Sequence, residues 1–202
     1  MQPRCDFELM DKKARKHLLK SAEIKHAVAS SCIADITKAA QIMIETLERK
    51  GKILLCGNGG SAADCQHIAT EFTSVLSRDF KRPALSAIAL TTDTSFITAN
   101  ANDFGFEGIF ERQVEAIGRP GDSLIGISTS GNSKNVLRAV NFARGKEIRT
   151  IALTGKRGGK LATIAEFSIK VPSNDTQLIQ ESHISIGHVL CELVEIALFK
   201  QN

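Results

Sequence analysis

Five short apolar stretches punctuate the chain, at 52–56, 85–90, 123–127, 150–153 and 167–171, and between them apolar residues recur at three- and four-residue spacing. Continuous apolar runs of this length suit strands buried on both faces, whereas the spaced patterns suit helices with one buried stripe. The alternation predicts right-handed βαβ units and a doubly wound α/β fold, with five parallel strands covered on both sides. The connecting helices are predicted at 61–77, 93–101 with 106–117, 133–145 and a short 160–164, and a long helix at 175–199 closes the chain. Ahead of the first strand, 9–30 and 31–50 read as two more helices, the second carrying Ile33, Ile36, Ala40, Met43, Ile44 and Leu47 and stopped by Gly51. One small sheet is not expected to bury both, so the N-terminal and C-terminal helices are expected to pack between subunits of an oligomer. No linker or low-complexity segment interrupts the pattern. A single domain over 1–202 follows, with 1–50 serving oligomerisation and 51–202 forming the core.

The composition agrees with a globular domain: 202 residues, 43% hydrophobic and 24% charged. Trp and Tyr are absent, which weakens any reading built on aromatic stacking platforms. Of the net charge of +4, residues 1–25 supply +3, through Arg4, Lys12, Lys13, Arg15, Lys16, Lys20 and Lys25 set against four acids. A solvated basic helix face is the plain reading, and no nucleic-acid or membrane surface is inferred. Cys5, Cys32, Cys56, Cys65 and Cys191 show no C-x-x-C spacing, which fits free thiols in a reduced cytoplasm. No apolar h-region follows the charged N-terminus, and no run approaches the ~20 apolar residues of a membrane helix.

The candidate chemistry begins at 126–133, Gly-Ile-Ser-Thr-Ser-Gly-Asn-Ser, where the third apolar run meets a helical pattern. Ser128, Thr129, Ser130 and Ser133 put four hydroxyls within six residues, at a point where free N–H groups and a helix dipole also converge. The dipole supplies only roughly 0.3–1 kcal/mol at an exposed site, so the hydroxyls must provide most of the grip on a phosphate. No Lys follows the glycine as in a Walker loop, which argues against a nucleotide triphosphatase. A second turn, Gly57-Asn58-Gly59-Gly60-Ser61-Ala62, fits the loose dinucleotide pattern. The second strand nevertheless lacks the acidic residue that a nicotinamide site requires, and Asp93 comes too late. Both turns lie at the carboxyl ends of their strands and can flank one crevice, one holding a phosphate and the other a polyol. A small phosphorylated sugar would fit such a crevice.

Two groups of side chains can do chemistry beside such a crevice. His67 and Glu71 stand one helical turn apart, the spacing of paired metal ligands and also of ordinary surface pairs. In the last helix Gln180, Glu181, His183 and His188 interrupt an apolar pattern, and a buried histidine with a partner is the plain reading for each His. Gln180 and His188 are separated by about 12 Å along a straight helix and some 80° around it. They reach one small ion only if Gln180 sits in an irregular lead-in or if the two come from different subunits.

Taken together, Cys-Gly-Asn-Gly-Gly-Ser at 56–61, Ala-Asn-Asp-Phe-Gly-Phe at 101–106, the loop at 126–133, Leu-Thr-Gly-Lys at 153–156 and Ile-Gln-Glu-Ser-His at 179–183 resemble the sugar isomerase (SIS) domain family. Within that family they resemble the sedoheptulose-7-phosphate isomerases, or phosphoheptose isomerases, along nearly the whole chain. The resemblance implies a flavodoxin-like sheet in a cytoplasmic homotetramer with sites at subunit interfaces. It implies conversion of sedoheptulose 7-phosphate to D-glycero-D-manno-heptose 7-phosphate for bacterial heptose synthesis. It also implies substrate contacts from Asn58, Gly59, Gly60, Ser61, Glu71, Asn102, Asp103, Ser128, Thr129, Ser130, Ser133 and Gln180. Glu71 is the implied general base and His188 the general acid. His67, Glu71, Gln180 and His188 are the implied ligands of one zinc ion per subunit. Such an exchange moves a proton between adjacent carbons through an ene-diol, and so needs a base, an acid and something to stabilise the developing charge. A zinc-bound carboxylate is a weakened base, so the two roles of Glu71 are in tension. Gln177 stands where some members carry Asp, which leaves that Asp without a counterpart. The alternative, a non-catalytic SIS tetramer that assists a replication initiator, resembles relatives lacking the Glu and His found here as Glu71 and His188.

Overall fold

The computed structural model describes residues 6–77 and 79–199, so Arg4 and Cys5 lie outside the described residues. Helices α1 (Phe7–Ser31) and α2 (Ile33–Glu48) meet at Cys32 with a bend of 72°. Then come β1 (Ile53–Gly57), α3 (Gly60–Thr73), β2 (Ala87–Ala89), α4 (Thr94–Phe104), a 3₁₀ turn Phe106–Gly108, α5 (Ile109–Ile117), β3 (Ser123–Ile127), α6 (Lys134–Gly145), β4 (Arg149–Gly155), α7 (Leu161–Ile164), β5 (Phe167–Val171) and α8 (Thr176–Phe199). The strands pair in parallel in the order β2-β1-β3-β4-β5. The order reverses between β1 and β3, so the loops leaving these two strands face one another at a switch point.

Alternation along each strand divides the core in two. Ile53 and Leu55 of β1, Ile125 and Ile127 of β3, and Ile151 and Leu153 of β4 join α1, α2, α3 and α8 on one face. Leu54, Cys56, Leu124 and Ala152 meet α5, α6 and α7 on the other. Both faces being covered is why these strands read as unbroken apolar runs.

The structure corrects several expectations. The sheet does take up α2, whose Ile36, Ala39, Ala40, Ile42 and Met43 are buried within the chain. Helix α1 buries only Ser21, Ile24 and Val28 and leaves Leu18 and Leu19 69% and 60% exposed. It is tied to α8 through Glu181, which accepts hydrogen bonds from Ser21 Oγ and lies 2.8 Å from His17 Nε2. Those two contacts hold the Glu181 carboxyl below its ordinary pKa, Ser21 most strongly. Helix α8 is by itself long and apolar enough to cross a membrane, contrary to the sequence reading, yet it packs on α2, α3 and the sheet as a core helix does. The helix expected to reach residue 77 ends at Thr73, because Arg82 folds back and donates to the carbonyls of Glu71 and Phe72 at 2.6 and 2.9 Å. Arg82 is held in turn by buried Glu195, its Nε 2.6 Å from Oε1. Cys32, Cys56, Cys65 and Cys191 are free and buried, and burial pushes the Cys56 thiol up to about 12.

Helices α3 and α8 run parallel, since residues 180, 187 and 188 meet 64, 68 and 67 in turn. Gly187 makes this closeness possible: a Cβ there would stand 2.6 Å from Ile68 Cδ1. Four residues earlier, His183 is fully buried and its Nε2 lies 3.2 Å from the carbonyl oxygen of Thr154. Burial, opposed by that hydrogen bond, brings its pKa from 6.5 down to about 4.

Gly187→Ala is therefore expected to cost about 1–3 kcal/mol by overpacking. Combining it with Ile68→Ala should cost less than the sum of the single changes, a non-additivity that urea denaturation measures. His183 is expected to favour folding in its neutral form, so the unfolded chain binds more protons between pH 6.5 and 4 and stability is lost as pH falls through that window. This contribution is about 3 kcal/mol, and His183→Gln should remove it from the difference between denaturation curves taken at pH 7 and pH 4. Equal pH dependence in both proteins would exclude it.

Candidate active site

The two loops at the switch point are joined by side chains. Asn58 Nδ2 donates to Asn135 Oδ1 at 2.9 Å, and Asn135 Nδ2 donates back to Asn58 Oδ1 at 2.8 Å. Across the second loop Ser128 Oγ lies 2.9 Å from Ser133 Oγ and 3.5 Å from Ser130 Oγ. Ser133 occupies the N-cap of α6, but its hydroxyl does not cap the helix. Neither does Gly59 offer a side chain at the start of α3. Neither helix is capped by its N-cap side chain, although Ser61 and Ala62 N–H bond to the Asn58 and Gly59 carbonyls at 3.0 Å and Val136 N–H bonds to Asn135 Oδ1 at 3.0 Å. Gly131 has φ +66°, and a Cβ there would lie 2.0 Å from the Gly158 carbonyl oxygen, so the hydroxyl loop is packed directly on the turn after β4. Between them opens a cleft of 290 Å³ lined by Thr129, Ser130, Asn132, Lys156, Arg157 and Ile179. The two exposed cations complement an anion there. Sequence reasoning gave Lys156 and Arg157 no role. Their signal is a Lys-Arg-Gly-Gly run directly after a buried strand.

A second cluster lies along the α3–α8 seam. His67 Nε2 is 2.8 Å from His188 Nε2 and 3.1 Å from Glu71 Oε1. One donor atom from each of the three residues lies within 4.8 Å of the others. Two imidazoles and a carboxylate form a donor set suited to zinc, with an open position for substrate. The observed separations of 2.8 and 3.1 Å approach the edge of roughly 3.3 Å of a tetrahedron with metal–ligand bonds of about 2.0–2.1 Å. The residues present fit the ion. Glu71 Oε2 is buried and has no hydrogen-bond partner among the described residues.

Gln180 bonds to a different residue of α3. It lies in the regular helix α8, and its Nε2 donates to Asp64 Oδ1 at 2.6 Å, so the irregular lead-in allowed by the sequence does not exist. Its neighbour Ile179 borders the hydroxyl cleft, and its own side chain lies against Gly60. Asp64 was missed by sequence reasoning. It is 4% exposed, Oδ2 has no partner among the described residues, and burial raises its pKa from 3.8 to about 6 against the Gln180 hydrogen bond and the nearby His67. An Asp in mid-helix, where it is intrinsically disfavoured, was the available signal. Ser61 is buried in the first turn of α3. Asn102 and Asp103 do not form a turn: they close α4 on its exposed side and bond to each other at 2.8 Å, with no bond to either loop among the described residues. Within one chain they are not brought to the site.

A parallel sheet of this order, with a hydroxyl loop and a glycine turn at its switch point, defines the sugar isomerase class of α/β domains, and the SIS domain family matches residues 17–155. The phosphoheptose isomerase of Aquifex aeolicus is 54% identical over 186 residues, covering 92% of this chain and 96% of that protein. That of Akkermansia muciniphila is 49% identical over 190 residues, 94% of this chain and 99% of its own length. The structure of phosphoheptose isomerase from Neisseria gonorrhoeae superposes with a TM-score of 0.87 at 43% identity, covering 92% of this chain and 98% of that one. The chain belongs to the phosphoheptose isomerase family of SIS domains. Gln180 and His188 fall beyond residues 17–155.

Proposed function

We propose that the protein is a phosphosugar isomerase that converts D-sedoheptulose 7-phosphate to D-glycero-D-manno-heptose 7-phosphate, an early step in bacterial heptose synthesis. The observation that carries this reading is the meeting of His67, Glu71 and His188 on two helices, with one Glu71 oxygen buried and unpaired. A scaffold with no chemistry to perform gains nothing from a carboxylate left in that state.

The phosphate end of the substrate binds in the hydroxyl cleft, held by Ser128, Thr129, Ser130, Ser133 and the cations Lys156 and Arg157, and the polyol lies along Asn58, Gly59, Gly60, Ser61 and Gln180. Roughly 12 Å of helix separates Gln180, next to that cleft, from His188. Glu71 removes a proton from C1 through Oε2, the electron pair moves into the C1–C2 bond, and His188 protonates the carbonyl oxygen at C2. The ene-diol then loses its O1 proton to His188 and regains a proton at C2 from Glu71, which leaves the aldose. The two oxygens of Glu71 face different partners, which eases the conflict between ligand and base: Oε1 turns to His67 while Oε2 remains free. A zinc ion, when held by His67, Glu71 and His188, supplies a Lewis acid at the carbonyl oxygen.

The active protein is a homotetramer, with Asn102 and Asp103 reaching substrate across a subunit interface. The exposed Leu18 and Leu19 of α1 support such association. It works in the cytoplasm, a reading supported by the four buried free thiols.

Glu71→Gln is expected to fold and assemble as the parent does and to lower turnover of sedoheptulose 7-phosphate by about 10²–10⁴-fold. Near-parental turnover by a stopped assay would remove Glu71 from the mechanism. Replacing both Ser130 and Ser133 with Ala should raise KM well above the parental value while kcat falls less. An unchanged KM would put the phosphate elsewhere.

A further inference from the structure

We propose that Asp64 sets the orientation of the Gln180 side-chain amide, so that Gln180 presents its oxygen rather than its NH2 group to the ligand. The proposal deepens the isomerase reading and rests on Gln180 serving that site.

A glutamine amide carries a donor end and an acceptor end of nearly the same shape, and which end faces outward is decided by what the other end meets. Here the inner partner is Asp64, 4% exposed and forming no ion pair among the described residues. A carboxylate oxygen that bears no proton only accepts hydrogen bonds. Gln180 must therefore turn Nε2 inward, as the 2.6 Å contact to Oδ1 records, and a charge-assisted bond of this kind is roughly twice as strong as a neutral one. The reversed orientation would oppose Oε1 to a buried carboxylate, which is strongly unfavourable.

The outward end is then Oε1. It makes no hydrogen bond among the described residues and is not among the buried unpaired atoms. The arm is held laterally as well: a Cβ at Gly60 would lie 3.3 Å from Gln180 Cγ and 3.4 Å from Cδ, so the amide rests on the glycine turn. The result is an oxygen held at the crevice, an electron-pair donor for either a sugar hydroxyl or a divalent cation. Asp64 touches neither and acts through Gln180, which makes it a positioning residue.

The test is a set of variants compared for kcat/KM on sedoheptulose 7-phosphate at pH 8, with thermal melting as a control for folding. Asp64→Asn can donate as well as accept, which frees the amide to take both orientations, and kcat/KM is expected to fall three- to tenfold with melting little changed. Gln180→Glu alone sets a carboxylate against Asp64 and should lose at least tenfold. Added to Asp64→Asn, the same Gln180→Glu change should raise activity above that of Asp64→Asn, because the new amide donates inward and an oxygen again faces out. A purely space-filling Asp64 gives no reason for this reversal of sign. Gln180→Glu that harms both backgrounds, or Asp64→Asn with parental kcat/KM, would overturn the proposal while Gln180→Ala remains impaired. Parental activity in Gln180→Ala would instead overturn the underlying assignment of Gln180. Zinc retention against a chelator, measured without substrate, separates the two sources of the partner. Weaker retention in Asp64→Asn identifies a cation, and unchanged retention with a raised KM identifies a sugar hydroxyl.

Discussion

The close parallel contact of α3 with α8 is the constraint on which the site depends. Gly187 lets α8 lie directly against Ile68, and from that contact the pairing of His188 with His67 and of Gln180 with Asp64 follows as a matter of register. Helix α3 is delivered by β1 and α8 by β5, so strands on opposite sides of the sheet centre bring the two helices together. The far end of the seam is closed by Arg82, which holds the last carbonyls of α3 and the carboxylate of Glu195 on α8. Shifting α8 by one residue would separate every one of these partners at once, because neighbouring positions on a helix point about 100° apart.

Much of this was legible in the sequence where the cause is local. Strands buried on both faces must be apolar throughout, so β1 and β3 were found within a residue or so; of the two edge strands, β5 matched its run although Lys170 is exposed, while β2 proved shorter than its apolar run. The glycine turn and hydroxyl loop were visible because turn chemistry is a property of a few consecutive residues. The spacing of His67 and Glu71 was visible for the same reason. The arrival of His188, 121 residues further on, was legible only through the family resemblance, since it depends on which helices pack together and in what register. Arg82 ends α3 from nine residues beyond it, and no pattern within 61–77 could show that. The local mark of Asp64 is slight, that of a carboxylate among Ala62, Ala63 and Cys65.

Charged groups fall into two kinds. Lys52 and Asp122 form a closed knot, Asp122 accepting from Lys52 Nζ and from the backbone of Lys52 and Arg119, and Arg82 with Glu195 is similarly saturated. These pairs fix structure and leave nothing over. Asp64 and Glu71 are different: each keeps one buried oxygen without a partner among the described residues, two turns apart on the helix that lines the crevice. Unpaired buried oxygens are destabilising wherever they occur, and two on one helix mark where stability has been given up for chemistry.

The reciprocal amide bond between Asn58 and Asn135 has a consequence for how a ligand is taken in. Each residue both gives and receives, so neither side chain can rotate without stranding two groups, and the loops after β1 and β3 are coupled as one rigid body. Their spacing is set during folding. A ligand that spans the two loops therefore meets a spacing the protein has already set, which lowers the ordering cost of its capture.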